Sequence, residues 1–334
     1  MTRIVFFGSD EIALPALEHI RAQPALSLTA VFSQPDRPAG RGQKTHANAI
    51  VSWAENHAIP AHQPARLDAA TPAALHACGC DLALVMAYGH ILKRDLLSAP
   101  PLGFFNLHAS LLPGLRGATP IEGAIAEEFA QTGVTLQRIV PRLDAGPVVD
   151  AQTIPMTPDE TRGTLREKIT TACVPLLQRA LPRIINGTAT EIPQDESAAT
   201  FTRKITREDS AVDFHASARE IAARVRALNP WPGVVILWEE TPLKIGAATP
   251  LPFPSNTPPP APGTLLSAGK DGIHIATGNG ILRIRELQRP AGKMLPAHAF
   301  IAGFPMQPGT ALASKPMPPL VTKTPRQTTG AAFP

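Results

Sequence analysis

The sequence predicts an α/β protein: a doubly wound, mostly parallel sheet followed by a small OB-like β-barrel or sandwich. Three observations carry this expectation. Arg3–Phe7 (RIVFF), Leu28–Phe32 and Asp81–Met86 (DLALVM) are apolar runs without alternation, the mark of strands buried on both faces as in helix-covered parallel sheets. Helical stretches fall between these runs, which is the βαβ rhythm. Beyond about residue 206 the rhythm changes to five short strands separated by turn residues.

In order along the chain, Gly8 closes the first strand and Asp10 caps a helix running through Ile20. Helices follow near His46–Asn56 and Pro72–Ala77. Phe104–Leu107, Val134–Val140 and Val148–Ile154 supply further strands. Ile121–Phe129 and Leu165–Ile185 supply further helices, and Pro175 and Pro182 are expected to break the second. From Gly187 to about Thr206 the chain turns polar and small, which reads as a linker. Ser210–Leu228 is partly helical; Val234–Trp238, Leu243–Ala247, Gly263–Ser267, Ile273–Ala276 and Ile281–Leu287 are the late strands. The expected organisation is a first domain over 1–188, a linker over 189–206, a small barrel over 207–310 and a tail over 311–334. The chain has 37 prolines, seven of them between Pro250 and Pro262 and seven more between Pro305 and Pro334. These tracts predict a surface loop and a disordered, Pro-rich, basic tail.

Composition excludes several classes. Hydrophobic content of 44% and charged content of 17% belong to a globular chain. No run approaches the ~20 apolar residues of a membrane span, and MTRIVFFGSDE meets acid too early for a secretory signal. A cytoplasmic, membrane-free protein is expected. Cys78, Cys80 and Cys173 make no disulfide framework, and no closely spaced His completes a zinc set. The turn Gly8-Ser9-Asp10-Glu11 is not G-x-G-x-x-G, and its acids repel a pyrophosphate, so a nicotinamide or flavin is not expected. A formal charge of +4 fits simple solubility and a polyanionic partner equally well.

The chemistry concentrates in FFNLHASLLPGLRGATP, Phe104–Pro120. Strand side chains alternate, so Asn106 and His108 project to one side. Pro113 and Gly114 stop the strand there, and ligands of open parallel sheets bind beyond strand carboxyl ends. Such a pair alone is more often bonded to nearby backbone than catalytic. A third group changes this: Asp144, in Leu143-Asp144-Ala145-Gly146 after the next strand, reaches His108 if the two strands pair. An amide donor for an oxyanion, an imidazole and an orienting carboxylate suit acyl transfer to an amine. No G-x-S-x-G is present and no Cys lies near, so a covalent enzyme intermediate is not indicated.

Asn106-Leu107-His108-Ala109-Ser110-Leu111-Leu112-Pro113 with Arg116-Gly117 and Pro120, then Leu143-Asp144-Ala145-Gly146, resembles the folate-dependent formyltransferase family. VFSQPDRPAGRGQK (Val31–Lys44), Ala87-Tyr88-Gly89 and Leu228-Asn229-Pro230-Trp231-Pro232 resemble the tRNA-acting branch, and the likeness runs from about residue 3 to about 310. The resemblance implies a formyltransferase-type first domain with Asn106, His108 and Asp144 as catalytic trio and Ser110, Leu111, Leu112 and Pro113 as folate contacts. It implies 10-formyltetrahydrofolate as co-substrate, no metal, initiator methionyl-tRNA as partner touched by Arg37, Arg41 and Lys44, and a monomer. Arg142 and Pro147 depart from the family's usual Gly and acid, which puts the shape of the Asp144 loop in question. The alternatives left open are a sugar-nucleotide N-formyltransferase, a formyltetrahydrofolate hydrolase and an RNA-binding module with a decayed catalytic half. Trp231, between two prolines, reads as a packing anchor rather than a base-stacking platform.

Overall fold

A computed structural model describes residues 1–39, 44–46, 48–68, 70–255 and 258–324, the side chains of 37–39 and 44–46 excepted. The first domain carries β1 (Thr2–Gly8), α1 (Leu14–Ala22), β2 (Leu26–Phe32), β3 (Arg37–Ala39), β4 (Lys44–His46), α2 (Ala49–Asn56), β5 (Ala61–His62), α3 (Ala70–Ala77), β6 (Leu82–Met86) and α4 (Arg94–Leu97). It continues through β7 (Phe104–His108), β8 (Arg116–Gly117), α5 (Pro120–Ala126), β9 (Gln131–Arg138), β10 (Val148–Pro155) and α6 (Arg162–Ile185). Seven strands form one sheet in the order β10-β9-β7-β6-β1-β2-β5. The pairs among β5, β2, β1, β6 and β7 are parallel, and β9 and β10 run antiparallel at one edge.

Unbroken apolar runs are what a two-sided sheet requires. In β1, Ile4 and Phe6 enter the core beneath α1, α2, α5 and α6, while Val5 and Phe7 enter a second cluster with Leu75 of α3 and Leu96 of α4. Asp10 caps not α1 itself but the 3-10 turn Glu11–Ala13 that leads into it, its carboxylate accepting from the Ile12 N–H at 2.9 Å, while α1 begins at Leu14 after an Ala13 that makes no side-chain cap bond.

Helix α6 corrects one expectation. Pro175 and Pro182 lie inside a single 24-residue helix. Each proline removes a backbone donor at a cost of about 3 kcal/mol. Leu165, Ile169, Ala172, Cys173, Leu176, Leu177, Ala180, Leu181 and Ile184 form one buried stripe along α6, and burying side chains of this size at ~1.5–3 kcal/mol each outweighs the two defects.

After α6 come β11 (Phe201–Thr202), α7 (Ala218–Leu228), β12 (Val234–Trp238), β13 (Thr241–Leu251), β14 (Leu265–Gly269), β15 (Gly272–Ala276), β16 (Ile281–Gln288), β17 (Met294–Pro296), α8 (Ala297–Ala302) and β18 (Val321–Thr322). The second domain is an antiparallel sheet ordered β12-β13-β16-β15-β14 with β17 on β16, curled around α7 and α8. Helix α7, capped by Ser217 and Glu220, also packs on α5, and one apolar core runs through both domains. Of the Pro-rich stretch 250–262 expected to be a surface loop, Pro250 and Leu251 instead extend β13 and pair with β16, while 252–255 and 258–262 lie outside the strands.

The tail was expected to be disordered from residue 311; over 311–324 it is not. Leu312 and Leu320 are buried, Lys315 N donates to Val212 O at 2.8 Å, and Val321–Thr322 pairs with β11. Two buried leucines and a line of backbone partners compensate the ordering entropy that a proline-rich composition alone does not. Residues 325–334 lie outside the described residues. Trp231 is a further correction: expected as a packing anchor, it stands 52% exposed.

Candidate active site

Asn106 and His108 leave β7 on the sheet face that Phe104 also occupies, opposite Phe105 and Leu107. Helices α3 and α4 cover that face at Phe7 and Val85. Over β7 and β9 the cover consists of loops. Across the antiparallel ladder Asn106 faces Gln137 and His108 faces Thr135, so four polar side chains share one patch of an otherwise apolar sheet.

Asp144 reaches this patch by a route that parallel pairing would not provide. Because β9 is antiparallel to β7, its carboxyl end, Arg138, lies beside Phe105 rather than at the His108 rim. The loop 139–147 folds back over the sheet. Gly146 makes the fold-back possible: a Cβ there would sit 1.7 Å from Arg138 O. Asp144 itself has a φ of +45°, the left-handed region that short polar residues tolerate best. Its Oδ2 accepts from Gly117 N at 2.8 Å and lies 3.8 Å from His108 Nδ1, while its Oδ1 accepts from Gln137 Nε2 at 3.3 Å.

The imidazole is fixed from behind. His108 Nε2 lies 2.9 Å from Leu115 O. A carbonyl only accepts, so this nitrogen is assigned the proton, and Nδ1, facing Asp144, is the nitrogen free to gain or lose one. His108 is buried and Asn106 half-buried. Among the described residues no partner engages the Asn106 carboxamide, which leaves its N–H groups for a ligand.

The loop after β7 is rigid for legible reasons. Ser110 Oγ donates to Gly114 O at 2.6 Å, and Thr135 Oγ1 accepts from Leu112 N and donates to Ser110 O. The Ser110 hydroxyl is thereby spent inside the turn. Leu111, Leu112 and Pro113 are half-buried at the rim.

The linker, which the sequence shows only as polar, is the other wall. Thr200 accepts from Leu115 N through Oγ1 and from Arg116 N through its carbonyl, both at 2.8 Å. Gln194 Nε2 donates to Asp144 O at 2.9 Å, Gly146 O at 2.7 Å and Gln137 Oε1 at 3.1 Å, and its Oε1 accepts from Arg116. Arg116, 1% exposed, also pairs with Glu196, as does Arg142. The Arg116 hydrogen bond holds the Glu196 carboxyl below the usual range, with the charges of Arg116 and Arg142 adding to it. Arg142 therefore ties the Asp144 loop to the linker, and Pro147 still accepts from Arg138 N through its carbonyl.

Thr135 and Gln137 had a signal that sequence reasoning passed over: two polar residues spaced by two in an apolar strand. Gln194 and Thr200 had none. Of the basic-loop residues, Arg37 lies on β3 and Lys44 on β4, which pair antiparallel; Arg41 lies outside the described residues. Burial pushes the Cys80 and Cys173 thiols up to about 12, so neither presents a thiolate nucleophile. Among the described residues no group of three His, Cys, Asp or Glu side chains could hold a metal ion, and no helix is long and apolar enough to cross a membrane.

Comparison with known proteins gives the same two-part division. Residues 2–181 match the family model described as formyl transferase, and residues 204–305 match the formyl transferase C-terminal domain. The methionyl-tRNA formyltransferase of Roseiflexus sp. is 40% identical over 312 residues, 93% of this chain and 95% of that one. The enzyme of the same name from Herminiimonas arsenicoxydans is 39% identical, covering 91% and 98%. Among solved structures, an N-formyltransferase from Helicobacter canadensis, in complex with folinic acid and dTDP-3-aminofucose, superimposes with a TM-score of 0.64 at 19% identity over 85% of this chain and 99% of that one. HypX from Aquifex aeolicus in complex with tetrahydrofolic acid gives 0.58 at 16% identity over 94% and 51%. At these identities the superpositions show the shared fold.

Proposed function

The chain belongs to the formyl transferase family, and from that premise we propose that it moves the formyl group of 10-formyltetrahydrofolate to the α-amino group of methionyl initiator tRNA. The observation that carries the choice of acceptor is the 38–40% identity to methionyl-tRNA formyltransferases across both domains. Fold alone would not select it, since the structural neighbours include sugar N-formyltransferases.

In this reading the Asn106 carboxamide donates to the formyl oxygen as the amine adds to the formyl carbon. The donor is worth most at the tetrahedral stage, where that oxygen carries charge. His108 Nδ1 takes the proton shed by the amine, or protonated donates to the same oxyanion; Asp144 faces that nitrogen and stabilises the imidazolium. Collapse of the adduct breaks the bond to the folate nitrogen, which leaves with a proton. Because the Ser110 hydroxyl is committed to Gly114, folate contacts from Ser110, Leu111, Leu112 and Pro113 come from backbone and apolar surface. Arg37, Arg41 and Lys44 meet the phosphates of the acceptor end, positioning it without reading bases. No metal is required, and every assigned residue comes from a single chain, a cytoplasmic monomer.

The test is direct. Purified protein is incubated with labelled formyl donor and, in separate reactions, charged initiator tRNA, an aminosugar nucleotide and water. Label appearing on the aminoacyl-tRNA supports the proposal. Label on the sugar, or formate release alone, would replace it.

A further inference from the structure

The family model of the second domain stops at residue 305, yet the chain continues in defined structure to 324. Its path crosses from the second domain to the candidate site. Leu312 N donates to Gly263 O, Ser314 Oγ accepts from Phe214 N, and Pro318 O accepts from Arg224 Nη1, at 2.9, 2.9 and 3.0 Å. Leu320 is then buried in the common core, and Val321 lies against Gly123 of α5.

The end of this strap completes a small sheet of order β18-β11-β8. Thr322 and Val321 pair with Phe201 and Thr202, which pair in turn with Arg116 and Gly117. Gly117 is the residue whose N–H binds Asp144 Oδ2. Its backbone has a φ of +109°, and a Cβ there would lie 2.2 Å from Thr202 O, so β8 is seated directly on β11. Without β18, β11 is a two-residue strand with one partner, and isolated two-stranded pairings are marginal in water.

We infer that Val321 and Thr322 are positioning residues of the active site: the carboxy-terminal strap holds β11 against β8 and thereby holds the Gly117 N–H on the Asp144 carboxylate. Only the kinetic arm of the test rests on the formyl-transfer reading above. A 1 Å misplacement of a catalytic group costs on the order of 100-fold in rate, so partial loosening should read as a loss of about 10- to 100-fold in kcat.

The experiment compares the full chain, a truncation after Pro318, a truncation after Thr324 and the double variant V321P/T322P, which keeps Leu320 but cannot donate to β11. Amide exchange is followed at Gly117 and along β7 and β9, and formyl transfer is assayed well below the melting temperature. Faster exchange at Gly117, tenfold or more, with β7 and β9 still protected, and lowered kcat with KM for the formyl donor within twofold, support the inference in either strap variant. The truncation after Thr324 should match the full chain. Wild-type Gly117 protection in the Pro318 truncation or in V321P/T322P overturns the inference, as does the same loss on removing only residues 325–334. If the full chain transfers no formyl group to tRNA, the functional proposal fails while the exchange arm still decides this one.

Discussion

Replacing Gln194 with alanine tests the least visible part of the site. The amide group has two hydrogens for three acceptors, Asp144 O, Gly146 O and Gln137 Oε1 at 2.7–3.1 Å, so two good bonds exist at a time. Its oxygen accepts two further bonds from the buried Arg116 guanidinium, at 2.8 and 3.1 Å. Neutral bonds contribute about 1 kcal/mol net and bonds to charged groups ~1.5–3. Gln194 is only half-buried, and water replaces part of what is lost. A net destabilisation of roughly 2–3 kcal/mol follows, or a fall of about 3–4 °C in Tm for a chain of 334 residues at about 2.1 cal/mol/K of unfolding entropy per residue. The larger effect is on rate. Asp144 sits in a left-handed conformation in a loop fastened at its own carbonyl, and its release should lower kcat about 10- to 100-fold. Gln194→Glu separates the two effects, since a carboxylate still accepts from Arg116 but cannot donate to the carbonyls. Gln194→Glu should therefore keep the bonds to Arg116, lose part of the Tm as its second oxygen meets the carbonyls of Asp144 and Gly146, and lose the rate. The assays are scanning calorimetry and single-turnover formyl transfer. Both variants turning over within twofold of wild type would refute the assigned role of Gln194.

Removing the Asn106 carboxamide deletes one oxyanion donor worth ~2.7–4 kcal/mol; Asn106→Ala should lower kcat by about two to three orders of magnitude, and near-normal turnover in the folded variant would remove Asn106 from the mechanism. Burial raises the Asp209 carboxyl, but hydrogen bonds from Arg203 and the Thr206 N–H, with the charges of Arg203 and Arg224, outweigh it and the net direction is down. That stabilisation is fully present above the unfolded carboxylate value of about 3.9 and is lost as pH falls through the lower folded value. Asp209→Asn should accordingly cost ~3–5 kcal/mol at pH 7, and the difference should shrink in a urea titration series only as pH falls through the lowered folded value of Asp209; a constant difference across pH would contradict the assignment. For the basic loop, Arg41→Ala should weaken tRNA binding and reduce the slope of log K against log salt by roughly one phosphate contact; an unchanged slope would take Arg41 off the RNA surface.

The sequence by itself determined the fold class and the placing of Asn106 and His108 on one face at the end of a strand. Unalternating apolar runs such as DLALVM are a local signature of a two-sided sheet, and Asn106 and His108, two apart on one strand, must share a face whatever surrounds them. What the sequence left undecided is non-local. Whether Pro175 and Pro182 break α6 depends on what the buried stripe of that helix packs against. Whether Asp144 meets His108 depends on Gly146 turning the loop back over an antiparallel edge. The role of Gln194, Thr200, Val321 and Thr322 depends on partners 48 (Gln194 to Gly146) to 121 (Thr322 to Phe201) positions away in the chain. Hydrogen bonds of that kind leave no periodicity, because their geometry is set by the two domains closing on one another rather than by either segment alone.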